Sequence, residues 1–482
     1  MSLSLSDYLG MDAIELALGV RQQQFSNADV TACAIEQAQK TNPTINAINI
    51  ECFDAALAQA QHFDQHPDLL NQSRVAGLPF LIKDLATVKG LGATYGSRLY
   101  KDFVAERSYN IARKYLDAGL IVLGKTNTPE CGLTLTTEPV ANGITRNPWN
   151  TEHSPGGSSG GAAAAVAAGI TPVAHATDGG GSIRVPAACC GLFGLKPSRG
   201  LTAIENKRAA SWGGMSVGHV VSQTVRDSAA FLDLIKLEEP NQFAIPPAPA
   251  SFYANLNAAP EPLRIGVQLE HPMDQPLDDE CILAVQKAAQ LCESLGHYVE
   301  RVSYPVDYRT VVSAMALRIN AYVYQTLAPR LAALKLALED APLEISTRIM
   351  ANLGRDVDAA AYLEAVDTVK EAERTMAEFH HHHDVIVSPV ISKTPARIGW
   401  LDMNSSDQKE YVSRFRAYGG FTALYNGTGQ PSMSVPGHQA KNGLPVGVMF
   451  TAAWGSDLLL LQLARQLEQA QPWPRSAPVC SA

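Results

Sequence analysis

Apolar runs and helical stripes alternate along most of this chain. Ser26-Asn27-Ala28-Asp29 has the spacing of a capping box, after which Val30, Cys33, Ala34 and Ala38 recur on one side of a helix. Pro79 followed by Phe80, Leu81 and Ile82 reads as a short buried strand that ends at the charged pair Lys83-Asp84. Residues 120 to 124 and Arg264-Ile265-Gly266-Val267 read as further strands. Asp278 to Leu295 has the pattern of an amphipathic helix closed by Gly296, and residues 310 to 380 are mostly helical in pattern. The strand-like Asp384-Val385-Ile386-Val387-Ser388-Pro389 follows. Residues 239 to 262 are rich in proline and alanine and read as a surface connection. Strands alternating with helices predict an α/β layered fold.

Composition narrows the class. With 482 residues, 46% hydrophobic and 18% charged, the chain can bury a large core, and length alone suggests about three domains. A formal net charge of −9 argues against nucleic acid as a partner, because affinity for phosphate comes largely from Lys and Arg. No apolar run approaches the length of a membrane span. The first 20 residues carry Asp7, Asp12 and Glu15 and no basic start, unlike a secretory leader, so a cytoplasmic protein is expected. The eight cysteines have no zinc or redox spacing. Cys189-Cys190, Cys281, Cys292, Cys33, Cys52, Cys131 and Cys480 read as thiols of a reducing compartment, with Cys131 a candidate to line the site. His380 to His383 suit the negative end of a helix. Adventitious metal binding there stays open, and no functional metal is expected.

The candidate chemistry sits in two serine-bearing glycine clusters. The first is Pro155-Gly156-Gly157-Ser158-Ser159-Gly160-Gly161, running into an alanine-rich stretch; the second is Asp178-Gly179-Gly180-Gly181-Ser182-Ile183-Arg184-Val185-Pro186. Consecutive glycines let the backbone approach a ligand closely. Unhindered N–H groups beside a hydroxyl supply what acyl transfer needs: a nucleophile and donors for the developing oxyanion. Lys83 stands upstream, and only a desolvated, neutral lysine can take a proton. Taken alone, Lys83 reads as a strand-end lysine in water or paired with Asp84, although strand alternation sends Asp84 to the opposite face. Asp178 and Arg184 bracket the second cluster and are expected to pair and clamp it. Binding of a substrate carboxylate is the weaker role for Arg184. Thr177, Ser159 and Thr136 are candidates for supporting hydrogen bonds.

Lys83, Gly157-Ser158-Ser159-Gly160-Gly161 and Gly180-Gly181-Ser182-Ile183-Arg184 are similar to the three signature elements of the amidase signature family. The likeness continues through Gly124 to Glu130, Thr145 to Asn150, Gly191 to Gly200, Asn426 to Pro431 and the segment from Gly443 to Phe450. It covers most of residues 70 to 235 and the last 70 or so, and spans the middle thinly. The resemblance implies one large domain over residues 1–482, with a signature core about 70–235, the connection 239–262 and a part 263–482 completing the fold. It also implies an α/β/α architecture, a mixed and mostly parallel central sheet covered by helices on both faces. It further implies a Ser–cisSer–Lys triad acting on an amide and water. Ser182 would attack the carbonyl, and Ser158, after a cis peptide bond from Gly157, would pass protons between Ser182 and neutral Lys83. The amides of Gly179, Gly180, Gly181 and Ser182 would form the oxyanion hole. No cofactor is implied, and a homodimer is left open.

Other readings stand beside this one. Gly156 to Gly160 fits the G-x-S-x-G elbow of an α/β-hydrolase, which would make Ser158 the nucleophile and require an acid and a histidine downstream. His271, His297 and His438 are available. A Gly/Ser linker is opposed by the flanking alanines, and a phosphate loop lacks its Gly-Lys-Ser/Thr. Within the family, the A-type subunit of a glutamyl-tRNA amidotransferase would need partner subunits, an ammonia donor and coupling to ATP. Thr128-Pro129-Glu130 and the thin middle match favour a stand-alone amidase. Thr136 to Pro139 with Thr145 to Asn150 resemble the family's hydrolases of the cyclic dimer of the nylon monomer, which tilts the expected substrate toward small amides, cyclic or aryl. Trp212, Met215, Tyr322, Tyr324, Trp400 and Trp454 are candidates for an apolar pocket. Gln223 stands where family members commonly show arginine, which puts a local contact in doubt.

Overall fold

The computed structural model describes residues 3–202, 211–237 and 243–478. Cys480 and the first residues of the 239–262 connection lie outside them; residues 243–262 carry no helix or strand. Among the described residues, an 11-stranded sheet runs through the molecule. Its strands are β1 (Ile48–Glu51), β2 (Pro79–Lys83), β3 (Ile121–Thr126), β4 (Val173–Asp178), β5 (Phe193–Lys196), β6 (Val217–Ser222), β7 (Arg264–Val267), β8 (Tyr298–Arg301), β9 (Val385–Pro389), β10 (Ser432–Gln439) and β11 (Pro445–Ala452). The spatial order is β1-β3-β2-β4-β6-β5-β10-β11-β9-β7-β8.

Side-chain alternation shows that both faces are covered. Val385 and Val387 of β9 and Val448 and Phe450 of β11 belong to one apolar core. Ile386 and Met449, one position along, belong to a second. Period-two alternation sends successive side chains to opposite faces, so helices pack on each. The first core takes helices Asn27–Ile45, Gly160–Ala167, Val225–Ile235, Asp279–Ser294 and Asp457–Ala470; the second takes Tyr308–Leu334, Ile345–Arg355 and Ala359–Phe379. The Ser26–Asp29 capping box, the 264–267 strand and the helix stopped before Gly296 are all present.

The sheet is mixed, but the expected parallel majority is corrected. Only β2–β3, β2–β4, β7–β8 and β7–β9 pair parallel. The pairs β1–β3, β4–β6, β5–β6, β5–β10, β10–β11 and β9–β11 are antiparallel. Antiparallel neighbours need no helical crossover. Thus β10 and β11 are joined by a tight turn in which Gly443 N–H donates to the Ala440 carbonyl.

Two features position the site. β2 and β4 run parallel and adjacent, so Lys83 and Thr177-Asp178, at their carboxyl ends, emerge on the same edge. That edge is where open α/β sheets hold ligands. Both glycine clusters then run into short, wholly buried helices, Gly160–Ala167 and Arg184–Cys190. The first lies so close to its neighbours that a Cβ on Gly161 would meet Asn127 N at 2.5 Å and Ala47 O at 2.6 Å.

Candidate active site

Lys83 is fully buried. Its Nζ lies 2.8 Å from Ser158 Oγ, 2.8 Å from Ser159 Oγ and 2.9 Å from Thr177 Oγ1. Burial pushes its pKa well below the ordinary lysine value, and the Asp178 charge only partly opposes this. His175, whose Nδ1 accepts from Lys83 N at 3.3 Å, is held neutral with its pKa down at about 3, chiefly by burial. The partners that Lys83 Nζ finds are three hydroxyls. Ser159 Oγ spends its own hydrogen on the Thr177 carbonyl at 3.2 Å and therefore accepts from Lys83. Thr177 Oγ1 accepts the second N–H. Were the amine neutral, its one lone pair would be left to face the Ser158 hydroxyl at 2.8 Å.

Asp84 is not the lysine's partner. Its carboxylate takes Lys125 Nζ at 2.8 Å in a fully buried ion pair. It also accepts from Asn49, from Thr94 N and, at 2.5 Å, from Thr94 Oγ1. The two adjacent charged residues thus serve opposite faces of the sheet.

Ser158 follows a cis peptide bond from Gly157. Gly157 is pressed against the 134–137 segment, where a Cβ would meet Thr136 O at 2.4 Å. Thr136 supports the loop by this backbone approach, and its hydroxyl donates to Leu401 O at 3.1 Å. Its expected part in the supporting hydrogen bonds is thus one to Leu401 O, not to the loop itself. Thr137 Oγ1 instead donates to Gly156 O at 2.9 Å.

The second cluster is clamped as expected. Arg184 Nε and Nη2 each donate to Asp178 at 2.9 Å, with both side chains fully buried. Burial alone would raise the Asp178 carboxyl; the Arg184 charge and hydrogen bonds, with Asn426, hold it below the usual carboxylate range. Arg184 also donates to Thr422 O at 2.9 Å and to Asn426 Oδ1 at 2.6 Å, so it is committed to the scaffold. Gly181 N–H donates to Asp178 Oδ1 at 2.7 Å. That donor is spent on the clamp, which removes Gly181 from the expected oxyanion set and leaves the amides of Gly179, Gly180 and Ser182. Gly181 has φ +133, and a Cβ there would meet Thr422 Oγ1 at 2.4 Å.

Ser158 and Ser182 open onto one cavity of about 100 Å³, with Cys131, Trp212, Thr177 and Gly179 also in its wall. Ser182 is 8% exposed and Ser158 2%. Of the six aromatic and methionine candidates for the pocket, only Trp212 lines it. Met215 is core, Trp400 stacks beneath Lys393 and Arg414, and Trp454 Nε1 donates to Arg199 O at 3.0 Å. Tyr324 packs on the second core, and Tyr322 bonds Tyr362. The histidines of the elbow reading are elsewhere: His271 contacts Ala417, His297 Gln466 and His438 Glu280. His380 bonds Gln430 and His383 bonds Glu300, and no cluster of three potential metal ligands occurs among the described residues.

Two supporting residues escaped the sequence reading. Asn426 Nδ2 donates to Asp178 O, Asp178 Oδ1 and Met215 O. Thr422 Oγ1 donates to Gly180 O at 2.5 Å. Asn426 opens a motif that was recognised without a role; Thr422 carries no local signal.

A buried lysine whose pKa is pushed well down by desolvation, under two serine-bearing glycine loops, is chemistry suited to opening an acyl bond. The sequence profile described as Amidase matches residues 29–461, and the chain belongs to that family. That membership makes it an amide hydrolase. It is 34% identical over 497 residues to the 6-aminohexanoate-cyclic-dimer hydrolase of Paenarthrobacter ureafaciens, spanning 98% of this chain and 97% of that protein. A solved 6-aminohexanoate cyclic dimer hydrolase matches with a TM-score of 0.90 and 31% identity over 98% of this chain and 99% of the other. A bacterial aryl acylamidase of the amidase signature family matches at 0.88 and 26% identity, 98% of each chain covered. Among the described residues, no helix is long and apolar enough to cross a membrane.

Proposed function

We propose that this amidase cleaves small amides through an acyl-enzyme on Ser182, with Ser158 relaying protons to and from Lys83. The observation that carries the reading is the 2.8 Å approach of a desolvated lysine amine to Ser158 Oγ. Lys83 takes the Ser158 proton as Ser158 takes that of Ser182. Ser182 Oγ attacks the carbonyl carbon, and the negative charge that gathers on the carbonyl oxygen meets the amides of Gly179, Gly180 and Ser182. The proton returns through Ser158 to the departing nitrogen, the C–N bond breaks and the amine leaves. Water, activated along the same relay, then releases the acid from Ser182.

The substrate class is supported by the likeness to a cyclic-dimer hydrolase and an aryl acylamidase. Both names point to uncharged small amides. Seven described cysteines are unpaired, Cys189 and Cys190 adjacent among them, which supports placing the enzyme in the cytoplasm. The test is a panel of linear, aryl, cyclic and peptide amides offered to the purified chain, with mass spectrometry locating the acyl group. Acylation of Ser182 is the expected result, and an acyl group trapped on Ser158 instead would overturn the assignment. Ser182→Ala should abolish turnover and labelling by a fluorophosphonate.

A further inference from the structure

Two chambers meet at Ser182. The smaller, about 100 Å³, is walled by Tyr95, Tyr100, Tyr109 and Cys131. The larger, about 180 Å³, is walled by Val312, Met315, Ile319, Met350 and Phe415. Gly132, Gly179, Ser182 and Trp212 belong to both walls. Two asymmetries distinguish them. Ser158 lines only the aromatic chamber, and Gly180 lines only the aliphatic one. Neither chamber has an Asp, Glu, Lys or Arg in its wall among the described residues.

We infer that the aliphatic chamber receives the acyl portion, and the aromatic chamber the amine portion, of an amide uncharged at both ends. The inference rests on the triad reading above. Ser182 Oγ bonds to the carbonyl carbon as the C–N bond breaks, and the nitrogen leaves with the proton that Ser158 delivers. The nitrogen must therefore lie on the side where Ser158 reaches the cavity, which is the aromatic one. The remaining substituent of the carbonyl carbon then points the other way, past Gly180, into the aliphatic chamber. The walls set the class. An ammonium or carboxylate on either arm would leave water without finding a countercharge among the described lining residues, which is heavily penalised. An apolar acyl chain gains from the methionine and isoleucine walls, and a compact or aryl amine suits the tyrosine side. A cyclic amide, whose two arms are tethered, spans both chambers.

The experiment measures kcat/KM for acetyl and hexanoyl groups, each as the primary amide and as the anilide, with 6-aminohexanoyl anilide as the charged probe. Wild type is compared with Val312→Trp, which narrows the aliphatic chamber, and Ser216→Leu, which narrows the aromatic one. Val312→Trp should lower both hexanoyl substrates about tenfold or more and leave both acetyl substrates within about threefold. Ser216→Leu should lower both anilides about tenfold or more and spare the primary amides. The ammonium-bearing probe should be slower than hexanoyl anilide by about a hundredfold or more at neutral pH. Ile319→Ala, which widens the aliphatic wall, should raise octanoyl relative to hexanoyl anilide and guards against a narrowed variant that misfolds. The reversed pattern, or variants that do not discriminate while Ser182 is still acylated, would overturn the chamber assignment alone. A charged probe turned over as fast as its neutral counterpart would overturn the charge exclusion. No acylation of Ser182 by any of these amides would remove the triad reading and this inference with it.

Discussion

An amine accepts a proton only while uncharged, and around Lys83 burial pushes the pKa well down while its hydrogen-bond partners are the hydroxyls of Ser158, Ser159 and Thr177. The sign of the consequence is fixed. Unfolded, the amine holds its proton up to an ordinary pKa of 10.5; folded, it gives it up at much lower pH. Between those limits the unfolded state binds more protons, so this group makes stability rise with pH. Lys83→Met should therefore lose turnover and also flatten the rise of urea-unfolding stability with pH relative to wild type; parallel curves would show that Lys83 is charged in the fold. Lys83→Ala should cost activity by about a thousandfold or more, and wild-type kcat/KM should fall on the acidic side as the amine protonates. At this scale the sequence was most legible where glycine and serine stand together, since Ser158, Ser159 and Ser182 mark themselves by their neighbours. Thr422 was invisible because its partner, the Gly180 carbonyl, is distant in the chain and threonine is unremarkable alone. Thr136 meets the loop by backbone packing, which no side-chain pattern announces.

The Asp178–Arg184 clamp shows what an element must do to offer its amides. It ties the loop to the end of β4 and, through Asn426 and Thr422, to the distant helix Leu424–Gly427 and the turn before it. Removing one member of a buried ion pair leaves the other uncompensated, so Arg184→Met should destabilise the protein by about 3–5 kcal/mol in urea unfolding. A loss under about 1 kcal/mol would mean that the loop stands without its clamp. A second element-scale prediction concerns helix Ile345–Arg355, which begins after Glu344. Burial, partly offset by the Val140 N–H and reinforced by the Glu130 and Asp402 charges, pushes the Glu344 carboxyl up to about 7. Between its ordinary 4.5 and about 7 the folded state holds a proton that the unfolded chain has released, so this group makes stability fall as pH rises. Glu344→Gln should gain about 1 kcal/mol or more relative to wild type at pH 8 compared with pH 4; an equal effect at both pH values would remove this account. Elements with a strong local signature, such as the 264–267 strand and the Asp279–Ser294 helix, were legible from the sequence.

At the scale of the molecule, the sheet joins strands from residue 48 to residue 452. β9 is hydrogen-bonded to β11, β7 to β9 and β8 to β7, and β10 to β5. Urea unfolding monitored by tryptophan fluorescence and by far-ultraviolet circular dichroism should therefore trace coincident transitions. Separated midpoints would show that the part after residue 263 folds independently. Strand existence was readable from apolar runs, whereas strand direction was not. A run such as Val446 to Phe450 is buried on both faces and looks the same whether its neighbour runs parallel or antiparallel. The resemblance named the residues of the proposed triad but said little about the pocket. Its aliphatic wall comes largely from helix Tyr308–Leu334, in the thinly matched middle, and a helix buried on one side there is patterned like any other core helix.

The lining of both chambers, without a charged side chain among the described residues, has a final consequence for turnover. Hydrolysis converts a neutral guest into an acid and an amine, and at neutral pH the acid ionises, as do alkyl amines. Walls that welcome the whole molecule offer nothing to its fragments once they carry charge, so water outcompetes the protein for them. The reaction thereby evicts its own products, and inhibition by accumulated carboxylate should be slight even when the intact amide binds well.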